Sequence, residues 1–272
     1  AVVGGFDTGV DWTHLALQPG YRGYSALGTD HNYNWFEADA NLYSGGDLGP
    51  SVSTVPYDCG SHGTHTMGTM VGDGGTSGTQ VGMAPDAEWI AAPGICWNTM
   101  PGGLGDDIGG LKTFQWFLCP TDLSGDLSTA DCSKAPDVIN NSWGSSNPAD
   151  DTFRPAIQAL RAAGIAPVFA SGNPSAGDGS IGSPGSAPEA ITVGATDIND
   201  GVASFSGRGP SFYEGEQKPE LSAPGVGVNS TVPGGGYSGP TWSGTSMAAP
   251  HVAGLVALLV QADLQDGIRD LD

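Results

Sequence analysis

Basic residues are scarce in this chain: 8 Lys and Arg stand against 29 Asp and Glu, a formal net charge of −21 over 272 residues. Nucleic-acid and anionic membrane partners are therefore disfavoured, because phosphates are held by cationic side chains. Long apolar runs are missing too. The most hydrophobic stretch, Val252 to Val260, falls short of the ~18 residues of a membrane span and reads as a buried core helix. Cysteine is sparse, and Cys59, Cys96, Cys119 and Cys132 form no C-x-x-C pair and lack clustered histidines, which makes a zinc site improbable. Their even number suits an oxidising compartment, and three pairings stay open. The acids show no EF-hand spacing. They read as solubilising surface, with salt adaptation or structural Ca²⁺ sites as sharper alternatives. The chain begins at Ala1 without Met or signal peptide, so a secreted form is expected to be processed or trimmed.

What is abundant is glycine (45) and proline (20), between short apolar runs that recur along the whole chain and must be buried with seven Trp. That describes a compact, loop-rich globule, and with no linker in sight residues 1–272 read as one domain. Strands are expected at Ala1 to Phe6, Glu88 to Ala92, Asp137 to Asn140, Ile165 to Ala170, Ile191 to Ala195 and Val202 to Phe205. Helices are expected from Ser61 to Val71, from Asp106/Asp107 to Leu118, from Asp150 or Asp151 to Gly164, and from Ser246 onward. Such alternation predicts an α/β fold, a mostly parallel central sheet with helices on both faces. Chemistry then gathers beyond the carboxyl ends of the strands, where Asp7, Asn141 to Gly144 and Ser171 to Asn173 fall.

The stretch Gly244-Thr245-Ser246-Met247-Ala248-Ala249-Pro250-His251 places a serine at the start of the last helix, where unpaired N–H groups favour developing negative charge. A serine needs a base and an orienting acid to act as a nucleophile. His62 and Asp7 supply them, in the chain order Asp, His, Ser. The blocks Asp7-Thr8-Gly9, His62-Gly63-Thr64-His65, Asn140 to Gly144, Ala170 to Asn173, Ser204-Phe205-Ser206, Ser222 to Gly225 and Gly244 to His251, taken together, resemble the subtilisin-like serine proteases. Val138 to Gly144 and the Trp-rich insert before it are most similar to the bacillopeptidase F-like branch.

That resemblance implies a three-layer fold and a secreted, extracellular serine endopeptidase, monomeric, acting on polypeptides without a catalytic cofactor. It implies Ser246 as nucleophile, His62 as general base, Asp7 as its orienting acid and Asn173 as side-chain oxyanion donor. Substrate backbone would pair with Gly103, Leu104 and Gly105 on one edge and with Ser142, Trp143 and Gly144 on the other. Ser142 to Gly144, Ala170, Ser171, Gly172 and Gly182 would wall the pocket for the side chain before the cut. Small walls, with Trp143 as an apolar shelf, predict large apolar or aromatic side chains there. Asp178 and Asp106/Asp107 read as solvated loop acids, although a preference for basic residues is the alternative. The family layout also implies a Cys59–Cys96 pair, leaving Cys119 and Cys132 to close a short surface loop. Two departures stand out. Ala16 falls where the family places a calcium-binding acid, and the N-terminal segment of that site is absent, so the site is not carried over. Only 26 residues follow Ser246, fewer than the family's terminal helices. Two rival functions remain: a metal-dependent hydrolase built on His62 and His65, and a catalytically silent binding protein on the same fold. His14, His31 and His251 have no partner that the sequence identifies.

Overall fold

The computed structural model describes residues 1–38, 53–74, 79–96, 107–174 and 177–266. Among these the chain runs β1 (Val2–Asp7), a hairpin of β2 (Tyr24–Ser25) and β3 (Gly28–Thr29), α1 (His62–Val71), β4 (Glu88–Pro93), α2 (Asp107–Leu118) and β5 (Val138–Asn141). It continues through α3 (Arg154–Ala162), β6 (Ala166–Ala170), β7 (Ile191–Thr196), β8 (Leu221–Pro224), a hairpin of β9 (Thr231–Val232) and β10 (Gly236–Tyr237), and α4 (Thr245–Asp266).

Six strands form one sheet in the order β4-β1-β5-β6-β7-β8, every neighbouring pair parallel. Because successive side chains point to opposite faces, each central strand serves two cores. Val3, Trp89, Val138 and Val168 face one side and pack with Met67 and Met70 of α1 and with Ala249 and Ala253 of α4. Phe6, Ile90, Ile139 and Phe169 face the other and pack with Phe114 and Phe117 of α2 and with Ile157 and Leu160 of α3. The Phe6 and Phe114 rings meet edge to face at 5.0 Å. This is the expected three-layer α/β architecture.

Several elements differ from the sequence reading. Val202 to Phe205 forms no sheet strand; Val202 makes a single antiparallel bridge to Thr196 and the rest is turn. The sixth strand is instead Leu221–Pro224, only four residues long and half-exposed at the sheet edge, where the hydrophobic signal is weak. Helix α3 starts at Arg154, later than Asp150 or Asp151, because Asp150 is spent on a turn that accepts from Thr152 N. The Thr245–Asp263 part of α4 is long and apolar enough by length and composition to cross a membrane, which Val252 to Val260 alone did not suggest. Half of it lies buried inside the fold, against the sheet.

The strand order fixes where a ligand can sit. From β1 the chain goes to β4 on one side and then crosses to β5 on the other. The connections leaving the carboxyl ends of β1 and β5 therefore diverge and open a crevice. Asp7 ends β1, and Asn141 ends β5.

Candidate active site

The acid and the histidine meet where two backbones touch. Gly9 adopts φ +95°, open to glycine, and turns the chain after β1. A Cβ on Gly63 would lie 2.1 Å from Gly9 O, so only glycine at 63 lets the first turn of α1 approach that turn. Thr8 Oγ1 closes the joint by accepting from Gly63 N at 2.8 Å. Asp7, 1 % exposed, then accepts from Thr8 N and His62 Nδ1, both at 2.7 Å on Oδ1, and from Thr66 Oγ1 at 3.3 Å on Oδ2. With Nδ1–H donated to the carboxylate, His62 Nε2 is the acceptor. Burial works against a charged His62, but the Asp7 carboxylate, by charge and hydrogen bond, and Asp58 outweigh it and hold the imidazole above its ordinary pKa.

Ser246 is the second residue of α4. Pro250 lies inside that helix and has no N–H to give the carbonyl four residues earlier, that of Ser246. Ser142 Oγ supplies the missing donor at 2.9 Å and itself accepts from Asn140 Nδ2 at 3.0 Å. The serine and the end of β5 are thereby tied together. Ser246 Oγ in turn donates to Ser142 O at 3.1 Å, so its one proton rests on that carbonyl in this conformation.

Asn173 follows β6 and reaches the same place. Its Oδ1 accepts from Thr245 N at 2.9 Å and from Thr245 Oγ1 at 3.0 Å, while Gly172 N donates to Thr245 Oγ1 at 3.1 Å. A backbone N–H can only donate, so the carboxamide oxygen must face Thr245 and Nδ2 is left as a donor on the other side.

These groups line one cleft of about 400 Å³, walled by Thr8, Gly60, His62, Ile95, Ser142 to Ser146, Ala170 to Pro174, Ser180, Gly182, Thr245 and Ser246. A smaller recess of about 310 Å³ adjoins it, lined by His62, Asn173, Thr241 to Gly244, Ser246 and Met247. The sequence-derived positions Ser142, Trp143, Gly144, Ala170, Ser171, Gly172 and Gly182 all fall on the larger cleft. Gly182 is required there, since a Cβ would lie 1.7 Å from Ser145 O. The Trp143 ring is not an open shelf: it is 7 % exposed and packs at 4.9 Å from Phe6 and 5.4 Å from Phe153. Gly103, Leu104, Gly105 and Asp106 lie outside the described residues. Asp178 is exposed and does not line the cleft.

The profile of the subtilase family matches residues 1–268. The chain belongs to the subtilase family. Bacillopeptidase F of Bacillus subtilis (strain 168) is 42% identical to this subtilase over 278 residues, covering 100% of the chain but 18% of that protein. Serine protease AprX of the same organism is 34% identical over 233 residues, covering 76% of the chain and 50% of that protein. Among solved structures, a psychrophilic protease superposes with TM-score 0.68 at 29% identity, covering 96% of the chain and 77% of its own. A cold adapted subtilisin-like serine proteinase gives 0.66 at 26% identity, covering 96% and 76%. The chain thus spans a small part of the first relative and about half of the second.

Both disulfides of this subtilase pair as the family layout implied, Cys59–Cys96 and Cys119–Cys132. Ala16 is buried and offers no side-chain oxygen, so the residues present do not fit a calcium site there. Among the described residues no group of three or more His, Cys, Asp or Glu is placed to hold a metal ion. His65 does not join His62 in such a site: its Nε2 faces Val228 O (3.3 Å) and Ser238 Oγ (3.2 Å), and its ring stacks on Trp242 at 4.6 Å. The three histidines left without partners by the sequence have them: His14 Nε2 with Gly236 O, His31 Nδ1 with Tyr21 OH, His251 Nδ1 with Met247 O. Sequence reasoning also passed over Asp58, Thr245, Trp242 and the part played by Pro250. The Pro250 role alone had a readable signal, a proline four residues after a candidate nucleophile at a helix start.

Proposed function

We propose that this chain is the peptidase domain of a secreted, extracellular serine endopeptidase that cleaves polypeptides through an acyl-enzyme on Ser246. One observation carries the reading: His62 lines the same cleft as Ser246 and Asn173 and is held from behind by a 2.7 Å hydrogen bond to buried Asp7. Substrate binding turns the Ser246 hydroxyl from Ser142 O toward His62 Nε2. Ser246 Oγ attacks the scissile carbonyl as His62 takes its proton, and Asp7 stabilises the imidazolium and fixes its tautomer. Asn173 Nδ2 and the Ser246 N–H, in the first turn of α4, receive the negative charge on the carbonyl oxygen. His62 then protonates the leaving amine, and water, deprotonated by the same ring, releases the acyl group. Every proton in this scheme passes through His62, so no cofactor is assigned; Ca²⁺ is reserved for a structural role. The small residues walling the cleft support large apolar or aromatic side chains before the cut, and the enzyme is taken to act as a monomer.

Hydrolysis of a denatured protein by wild type and Ser246→Ala tests the mechanism. A fall in kcat of about 10⁶-fold is expected. Equal rates would remove Ser246 from the chemistry, and activity lost to a chelator but not to a serine-directed phosphonylating reagent would favour a metal hydrolase.

A further inference from the structure

Asp58 stands four residues before His62, and its carboxylate accepts five hydrogen bonds. Oδ1 receives Thr8 Oγ1 (2.7 Å), Gly60 N (2.9 Å) and Ser61 N (2.8 Å). Oδ2 receives Thr64 N (2.8 Å) and Thr64 Oγ1. Part of this is a helix cap supplied from outside the helix. Ser61, at the capping position, sits at φ +65° and makes no side-chain cap bond; its own N–H and that of Thr64 in the first turn of α1 go to Asp58, while Gly63 N goes to Thr8.

A cap alone would not involve Thr8. That residue follows Asp7, gives its N–H to Asp7 Oδ1, and accepts from Gly63 N while its hydroxyl donates to Asp58. Cys59 N donates to Thr8 O at 3.0 Å, and Thr64 Oγ1 accepts from Asp11 N at 2.9 Å, so the same junction is stitched on both flanks. Asp58 thus grips the residue after Asp7 with one oxygen and the second residue after His62 with the other. A neutral Asn or Ser would also cap α1 without a half-buried charge. Burial does raise the Asp58 carboxyl above its ordinary pKa, against the bonds from Thr64, Thr8 and Gly60.

We propose that Asp58 is a positioning residue of the Asp7–His62 pair, holding acid and base in register through Thr8 and Thr64 and adding a negative charge that favours the imidazolium formed during acyl transfer. The inference rests on His62 being the general base. Among the described residues, the groups that face His62 are Asp7 from β1, Asp58 from the segment before α1, Ser246 from α4, the uncharged Trp242 ring, and His65 one turn along α1. Burial holds His65 down at about 4, so it is neutral where the enzyme would work. Among the described residues, Asp58 is then the carboxylate besides Asp7 that bears on His62.

The test is Asp58→Asn, read in two ways. In the active chain, kcat on a peptide substrate should fall about tenfold, equivalent to ~1.4 kcal/mol, with KM within about twofold. The acid limb of the kcat/KM profile should move to lower pH, because removing a negative neighbour lowers the imidazole pKa. In a Ser246→Ala background, NMR titration of the His62 ring should move in the same direction, with no dependence on turnover. Thr8→Val keeps the charge and cuts the tether; it should lower kcat and leave the limb in place. If Asp58→Asn does not fold, Asp58→Ser, which restores a neutral cap, carries the same expectations. An unmoved His62 titration, whatever happens to kcat, makes Asp58 a plain helix cap and overturns the proposal. A wild type that neither hydrolyses peptides nor reacts with the phosphonylating reagent would instead defeat the general-base reading, while the NMR titration would still report on Asp58.

Discussion

Acid should unfold this protein through His65. The side chain is fully buried, its Nε2 faces Val228 O and Ser238 Oγ, its ring stacks on Trp242, and its Nδ1 has no partner. Burial, partly offset by the Val228 contact, pulls its pKa down to about 4. In the unfolded chain the ring titrates near 6.5. Between those values the unfolded state binds a proton that the folded state refuses, so stability is fully present above about 6.5 and drains as pH falls toward 4. Integrating the difference gives a loss of about 2 kcal/mol by pH 5 and about 3 kcal/mol by pH 4, a large part of a typical 5–15 kcal/mol total. His65→Phe isolates the effect. It keeps a ring against Trp242 and forfeits the polar contact of Nε2, at about 1 kcal/mol near pH 7. Urea unfolding followed by Trp fluorescence, in a Ser246→Ala background to prevent self-digestion, should show wild type losing about 2 kcal/mol more than His65→Phe between pH 7 and pH 5. Unfolding free energies that run parallel over that interval would refute the reasoning.

Two further outcomes follow from single contacts. Ser142→Ala removes the hydroxyl that replaces the N–H missing at Pro250, stranding Ser246 O and Asn140 Nδ2. A stability loss of about 1–3 kcal/mol is expected in urea unfolding, with kcat falling more than KM changes because the tie between Ser246 and β5 is cut. Replacing both Cys119 and Cys132 by Ser opens a 13-residue span that touches neither recess. Thermal unfolding should reveal about 3 kcal/mol less stability, with kcat/KM unchanged; a fall in kcat/KM would tie that loop to the cleft.

What could be read in advance divides along a physical line. Local patterns gave the two-faced strands, since Val3 against Phe6 and Val168 against Phe169 alternate whatever surrounds them. They gave α1 and α4 from apolar runs bounded by glycine and turn residues. They failed at Leu221–Pro224, because a short edge strand with half-exposed residues carries little hydrophobic signal, and at Val202 to Phe205, where an apolar run serves a turn. The resemblance carried by Asp7-Thr8-Gly9, His62-Gly63 and Gly244 to His251 pointed to side chains that the fold brings to one cleft, because those motifs combine a polar group with the glycine its setting requires.

The sequence by itself determined the α/β class and the family, and it named Asp7, His62, Ser246 and Asn173 as the candidate reactive groups, because these readings depend on residue type and on short-range order along the chain. Tertiary structure decided the rest. That Trp143 buries its ring while its backbone borders the cleft, that Ser142 replaces the hydrogen bond Pro250 cannot make, that Thr245 turns the Asn173 amide, and that Asp58 joins Thr8 to Thr64 are all contacts between distant segments. Hydrogen bonds and buried charges are decided by distances of a few tenths of an ångström. Only the folded chain sets those distances between residues as far apart as 8 and 58, or 142 and 246.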